Sequence, residues 1–197
     1  MNARIAAVGF GILLLPGCDT PPPPAAPAPT PTCFTFEPPL VLGTTYGPPL
    51  APGATILTTG PLTMSIENFV QVSGNTSFNQ AAISAPPAGG TGNQMFRTNN
   101  INFKVVSSGS ISLVTLDYVD LGGSENLSVN GSSVRAGDLT SLPTTIGGVR
   151  ITVTQMPVLN AGGVQIGRSG KLKLQGPISQ FLVGGQEFWV DNVCATN

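Results

Sequence analysis

The amino-acid sequence predicts an all-β domain, an antiparallel β-sandwich of the jelly-roll type, and three observations carry that prediction. Apolar and polar residues alternate over short segments between residues 33 and 197, as they do in half-buried strands. Glycine and proline, 25 and 19 of the 197 residues, interrupt the chain too often for long helices. Two cysteines stand near the two ends of this region, which suits a sandwich whose first and last strands are neighbours.

The alternation marks the individual strands. In the clearest segment Ile101, Phe103 and Val105 share one face, which predicts a strand with that face in the core. The same pattern predicts strands over residues 33–37, 55–59, 64–72, 114–118, 127–129, 149–153, 171–174, 178–183 and 187–193. Asn130-Gly131 predicts a tight hairpin between two of them, because both residues tolerate positive φ.

An immunoglobulin-like sandwich is the alternative fold. That fold usually has seven to nine strands in about 100 residues, and its disulfide typically joins central strands of opposite sheets. The present region is longer and its cysteines lie at the ends, so the jelly roll is favoured.

Residues 1–17 have the layout of an export signal. One cation, Arg4, precedes an uncharged and mostly apolar run from Ile5 to Pro16. The run is too short to span a membrane, since a spanning helix needs about 20 apolar residues. We therefore expect this segment to be removed.

Leu15-Pro16-Gly17-Cys18 resembles the bacterial lipobox. The resemblance implies that Cys18 carries a lipid, begins the mature chain and anchors it in a bacterial cell envelope. Pro16 departs from the pattern, which usually has Ala, Ser, Thr or Val in that position; the alternative is an ordinary secretory signal followed by an unmodified cysteine. Asp19 resembles an inner-membrane retention signal, but that rule depends on lineage and leaves the choice of membrane open.

Residues 18–32 form a linker between the lipid and the domain at 33–197. From Asp19 to Thr32 the chain is almost entirely Pro, Ala and Thr, which favours extended polyproline II because proline lacks an amide donor. At about 3.1 Å per residue the linker holds the domain up to roughly 40 Å from its anchor.

Cys33 and Cys194 remain once Cys18 is set aside. An even number of cysteines in an exported chain favours a disulfide, which here would join the ends of the domain. A metal pair or a reactive thiol is less well supported, because the chain has no histidine and no C-x-x-C spacing.

Composition excludes one class of partner and disfavours another class of function. Charged residues make up 9% of the chain, and loss of Arg4 leaves seven of the eight Lys and Arg against nine Asp and Glu, so no basic surface attracts nucleic acid. Without histidine, and with no activated Ser or Cys, we expect no enzyme. Eight carboxylates could supply a glycosidase pair, but nothing in the sequence selects one. Asp117, Asp120 and Glu125 surround a Gly-Gly turn, and we interpret them as turn residues.

Residues 34–40 (FTFEPPL), 43–47 (GTTYG) and 188–194 (FWVDNVC) are the most distinctive segments of the domain. They resemble the first and last strands of exported bacterial modules with a galactose-binding-like or carbohydrate-binding-module jelly roll. Residues 120–131 resemble the middle of secreted bacterial proteins of the same kind. The resemblance supports the fold more than any function.

In the carbohydrate-binding modules that this chain resembles, a calcium ion often ties an acidic residue of the first strand to an aspartate of the last. The matching positions are Glu37 and Asp191. If Cys33 faces Cys194 in a regular antiparallel ladder, Asp191 faces Phe36 and projects away from Glu37. The predicted calcium site therefore requires a bulge.

Sugar recognition usually combines an exposed aromatic ring with amide or carboxylate groups that read hydroxyls. Tyr46, Tyr118 and Trp189 are the candidate rings, and Asn100 lies in a polar run that could accompany them. For Trp189, packing in the last strand is the alternative interpretation.

The function we expect is that of a non-catalytic envelope lipoprotein whose sandwich binds a ligand, with a glycan as the first candidate. A structural or adhesive protein that contacts other envelope proteins is the alternative. An envelope glycosidase is a distant third.

Overall fold

The computed structural model describes residues 29–197, and the fold there is an antiparallel β-sandwich. The predicted signal peptide, Cys18 and most of the linker lie outside the described residues. The strands are β1 Thr32–Phe34, β2 Thr45–Tyr46, β3 Thr55–Thr59, β4 Leu62–Val70, β5 Thr76–Ser77, β6 Gln80–Ser84, β7 Met95–Asn99, β8 Ile101–Asp120, β9 Glu125–Val129, β10 Ser132–Ala136, β11 Thr145–Ile146, β12 Val149–Leu159, β13 Gln165–Gly185 and β14 Phe188–Thr196. Helical structure in this part of the chain is limited to one 3-10 turn, Leu139–Ser141, whose N-cap is Asp138.

Two long strands, β8 and β13, pass through both layers of the sandwich. The first sheet has the order β3-β4-β8-β13-β9-β10 and uses the first half of β8 and the second half of β13. The second sheet has the order β12-β13-β8-β14-β7-β6-β2, and β1 lies beside β14. The register of β13 against β8 shifts between Gln175 and Gln180, where both strands cross from one layer to the other. The two layers are therefore covalently continuous.

The core between the sheets follows the predicted alternation. Phe103, Val105 and Phe181 of the first sheet face Leu116 and Leu172 of the second, and all five are buried. Burying one such side chain stabilises the fold by about 1.5–3 kcal/mol. Asn130 and Gly131 have φ of 51° and 84° and join β9 to β10, which confirms the predicted hairpin.

The disulfide between Cys33 and Cys194 joins the two ends of the domain, as predicted. It closes a sequence separation of 161 residues, and the pairs Cys33–Cys194 and Phe34–Val193 have the register expected of a regular ladder. The first and last strands are thus fixed side by side.

A loop of residues 85–94, which we call the β6–β7 loop, lies across the outer face of the second sheet. Beneath it Met95, Val119, Val158 and Trp189 form a small apolar cluster separate from the main core. A Cβ built on Gly89 would overlap Val158, which shows how closely the loop packs on this face. Both faces of the second sheet are therefore covered here.

Candidate functional site

Glu37, which follows β1, and Asp191, within β14, come together at the edge of the β6–β7 loop. A Cβ built on Gly92 would overlap a carboxylate oxygen of Glu37 and would lie 3.1 Å from Oδ2 of Asp191. Gly92 also has a φ of 66°, which favours glycine. The two carboxylates thus flank one glycine of the loop.

Irregular backbone on both chains allows this convergence. β1 ends at Phe34, and Phe36 has a φ of 57°. The pairing of β14 with β8 shifts between Asp191 and Cys194, and Asn192 inside that shift has a φ of 49°. The structure therefore contains the bulge that a calcium site at Glu37 and Asp191 requires.

Hydrogen bonds from the loop hold both carboxylates. Glu37 accepts from the backbone N–H of Asn93 at 2.6 Å and from its side-chain amide at 3.2 Å, and the backbone bond lowers the pKa of Glu37. Asp191 accepts from the Thr91 hydroxyl at 3.1 Å and from the Asn192 N–H at 2.7 Å. Burial outweighs these bonds and raises the pKa of Asp191.

A third carboxylate, Asp117, stands beside this pair. The side-chain amide of Asn192 donates to Asp117 Oδ2 at 2.9 Å and to Asp191 Oδ2 at 3.3 Å, while Lys171 Nζ lies 2.7 Å from Asp117 Oδ1. Within residues 29–197 no three Asp, Glu, His or Cys side chains gather as a metal-binding group. A cation here would need neutral oxygens such as the Thr91 hydroxyl in addition to Glu37 and Asp191.

The oxygen-only character of this cluster fits a hard cation. Calcium takes six to eight oxygens from carboxylates, carbonyls and amides, and Glu37 Oε2 and Asp191 Oδ1 each accept only one hydrogen bond and keep a lone pair. No thiol or imidazole is present in the cluster, which disfavours zinc or copper.

The three candidate aromatic rings do not form one open site. Tyr118 is buried in the core, stacks on Phe188 with ring centroids 5.8 Å apart, and donates its hydroxyl to Gln155 at 3.2 Å. Trp189 is 8% exposed, donates its indole N–H to Ser84 at 3.0 Å, and has the Arg97 guanidinium 5.1 Å from its ring centroid. Neither ring can stack on a ligand in this arrangement.

Tyr46 and Asn100 lie elsewhere. Tyr46 is half-buried, and its ring centroid lies 5.8 Å from that of Phe96. Asn100 has a φ of 52° and lines a shallow cavity of about 330 Å³ with Asn99, Gln186 and Glu187 and with none of the three candidate rings. The four predicted ligand residues are therefore not assembled into a single site.

A groove on the outer face of the first sheet was not predicted. It consists of two adjoining cavities of about 290 and 190 Å³. Its lining includes Glu67, Lys104, Ser128, Gln180 and Leu182 in the larger cavity and Val70, Asn102, Ser128, Arg135 and Leu182 in the smaller. We call it the first-sheet groove. Strand parity could have suggested it, because Glu67 and Lys104 lie on the face opposite the core residues of the same strands.

Asn102 is the unusual residue of this groove. It is 2% exposed, and its amide donates to the Asn68 carbonyl at 2.7 Å and to Asn126 Oδ1 at 3.0 Å. Its own Oδ1 has no hydrogen-bond partner. Buried polar atoms normally have one, so an unpartnered acceptor is unusual here, and the oxygen is itself buried, close to Gly184.

A larger cleft of about 620 Å³ lies beside the 3-10 turn. It is lined by Thr140, Thr144, Thr145, Arg150 and Thr152 among others, and it contains neither a carboxylate nor an aromatic ring.

The chain matches no protein-family model, no curated protein and no solved structure. The resemblance to carbohydrate-binding modules therefore rests on the sequence segments alone. Among the described residues, no helix has the length and apolar character needed to cross a membrane.

Proposed function

We propose that this chain is a non-catalytic binding module, exported and anchored through a lipid on Cys18 in a bacterial cell envelope, that holds its ligand in the first-sheet groove. The observation that carries the proposal is the groove itself, two adjoining cavities of about 290 and 190 Å³ lined by hydroxyl, amide and apolar side chains. An acylated Cys18 at the start of the mature chain is the expected result of N-terminal mass spectrometry. A mature chain that begins elsewhere with a free amine would contradict the anchor.

A glycan fits the chemistry of the groove best. Hydroxyl and amide side chains from Ser128 and Gln180 can exchange hydrogen bonds with sugar hydroxyls, and Leu182 offers an apolar contact. The charged residues of the lining, Glu67, Lys104 and Arg135, have both signs, so no strong field selects an acidic or a basic ligand. The groove contains no ring that could stack on a sugar at its surface, so we expect modest affinity.

A glycan-array screen tests this proposal. The full chain with Cys18→Ser, which removes the lipid site, is the protein to use. Binding should weaken about tenfold, or about 1.4 kcal/mol, in Lys104→Ala, because the ammonium lines the groove. Lys173→Ala is the matched control, since Lys173 is also a half-buried strand lysine but lies in the second-sheet half of β13. Equal effects of the two variants, or no binding to any glycan, would overturn the glycan proposal.

We further propose that Glu37 and Asp191 hold a structural calcium ion. The ion would neutralise two carboxylates that flank Gly92 and would tie the β6–β7 loop to β14. Calcium should raise the Tm of the wild-type chain, and chelation should lower it. Glu67→Gln, at a carboxylate in the other sheet, should keep the response, whereas Glu37→Gln should lose it. A Tm that responds to neither calcium nor chelator would exclude a stabilising ion.

A protein-contacting role is the second candidate, and one observation favours it. The β12–β13 hairpin exposes four large apolar side chains, Met156, Leu159, Val164 and Ile166, between 39% and 65%. Exposed apolar surface of this kind is typical of protein contacts. Crosslinking in the cell envelope tests this role. A partner protein should be captured by the wild type and by Val41→Ser, which changes an exposed valine of another loop, but not by Val164→Ser.

A further inference from the structure

A second pair of carboxylates lies inside the sandwich. Asp120 ends β8 and Glu125 begins β9, on either side of the turn formed by residues 121–124. Asp120 has the strand parity of Leu116 and Tyr118, and Glu125 has the parity of Leu127, so both side chains face the interior. The prediction that Asp117, Asp120 and Glu125 are turn residues holds only for Asp120, whose Oδ1 accepts from the Gly122 N–H at 2.8 Å, since Asp117 lies within β8 and Glu125 begins β9.

Glu125 is completely buried and Asp120 is 7% exposed. Neither carboxylate oxygen of Glu125 has a hydrogen-bond donor. Both side chains face the interior at the same end of the sandwich, and the charge of Asp120 acts on Glu125. Two ionised carboxylates are both acceptors, so a hydrogen bond between them requires a proton on one of them.

The surrounding charges do not replace that proton. Arg168 of β13 is the ladder partner of Asp120 and lowers the pKa of both carboxyls, but its guanidinium forms an ion pair with Asp138, and burial outweighs its effect. Glu187, in the turn before β14, adds further negative charge near Asp120. The Tyr118 hydroxyl is already donated to Gln155. An ionised and unpaired carboxylate in a dry interior would be strongly unfavourable.

We propose that Asp120 and Glu125 share one proton in the folded protein, and that this proton closes one end of the sandwich as a pH-dependent latch. The proton resides on Glu125, which donates it to Asp120. Its loss places a second negative charge between the two sheets and loosens the turns that connect β8 to β9 and β13 to β14.

The direction of the pH effect follows from the raised affinity of the pair for protons. Burial, followed by the charge of Asp120, raises the pKa of Glu125 to about 8. The unfolded chain releases this proton near the ordinary glutamate pKa of about 4.3. Between these two values the folded state binds the additional proton, so its stability falls as pH rises through this window.

Thermal unfolding of the full chain from pH 5 to pH 9 tests the latch. The Tm of the wild type should fall as pH rises, and Glu125→Gln should remove most of this fall, because a glutamine amide can donate to Asp120 at every pH. Glu67→Gln, at a half-buried carboxylate of the first sheet, should keep the wild-type slope. Infrared spectroscopy of the wild type should show a protonated carboxylic acid at neutral pH that is absent from Glu125→Gln.

Two results would overturn the proposal. One is a wild-type protein without a protonated carboxylic acid at neutral pH, which remains measurable even if Glu125→Gln does not fold. The other is a calcium-dependent Tm that is retained in Glu37→Gln and lost in Asp120→Asn, which would assign a cation to the pair instead of a proton.

Discussion

Each of the two carboxylate pairs of this sandwich brings two acidic groups together, but the surroundings of the two pairs differ. Glu37 and Asp191 lie outside the second sheet and accept hydrogen bonds from the β6–β7 loop. Asp120 and Glu125 lie between the sheets, where Glu125 has no donor at all. The first pair can therefore be stabilised by donors and a cation, whereas the second needs a proton. The side of the sheet on which a carboxylate lies decides its chemistry.

Removal of the disulfide should have the largest effect on stability and should affect the two carboxylate pairs differently. In Cys33→Ala combined with Cys194→Ala, the free energy of unfolding should fall by up to about 5 kcal/mol, because the closed loop is long. Denaturant unfolding measures this loss. Calcium stabilisation should weaken as well, since Glu37 follows the strand that the disulfide fixes.

The pH dependence of Tm should survive in the double variant, because Asp120 and Glu125 are positioned by β8 and β9. If the pH dependence of Tm disappears together with the disulfide, the two carboxylate pairs are not independent of each other.

Gly92→Ala should have the next largest effect. A Cβ at this position would overlap Glu37 and would also occupy a backbone with a φ of 66°. We expect a loss of at least about 2 kcal/mol in the free energy of unfolding. Gly53→Ala is the control. Gly53 has a φ of 88°, but a Cβ added there would have no atom within 4 Å.

The control should cost only about 1 kcal/mol, the ordinary cost of positive φ. Urea unfolding of both variants measures the difference. Equal losses would show that the loop does not approach Glu37 closely, and the first pair would then resemble two separate surface carboxylates.

Thr91→Val should have the smallest effect. It removes the hydroxyl that donates to Asp191 at 3.1 Å, and one such hydrogen bond contributes about 1 kcal/mol. Thr152→Val, at an exposed position of β12, should change the free energy of unfolding by no more than about 0.5 kcal/mol. A loss at Thr91 that is no larger than at Thr152 would mean that the loop does not stabilise Asp191.

Much of the fold could be predicted because strand alternation and turn residues are local signals. The face shared by Phe103 and Val105, the Asn130-Gly131 hairpin and the disulfide all depend on short segments or on the cysteine count. The continuity of β8 and β13 could not be predicted in this way. Ser107–Ser110 resembles a turn by composition, whereas in the structure it is the bend of one strand whose partner β13 continues past it.

The sites were less predictable because they depend on contacts between distant segments. Glu37 and Asp191 were identified through the resemblance, but their convergence depends on positive φ at Phe36 and Asn192, which local patterns do not reveal. The interior position of Glu125 follows from its parity with Leu127, a signal that the adjacent glycines obscured. The first-sheet groove combines residues from five strands and has no local signal.

The disulfide also determines how mechanical load enters the domain. Tension applied through the N-terminal linker reaches Cys33 first and passes through the covalent bond to Cys194 in β14. β14 is bonded to β8 on one side and to β1 and β7 on the other. A pull on the residues before Cys33 is therefore carried by β14, which has neighbours on both sides, and not by β1 alone. Under the proposed lipid anchor on Cys18, this path would carry the load when a bound ligand is dragged by flow.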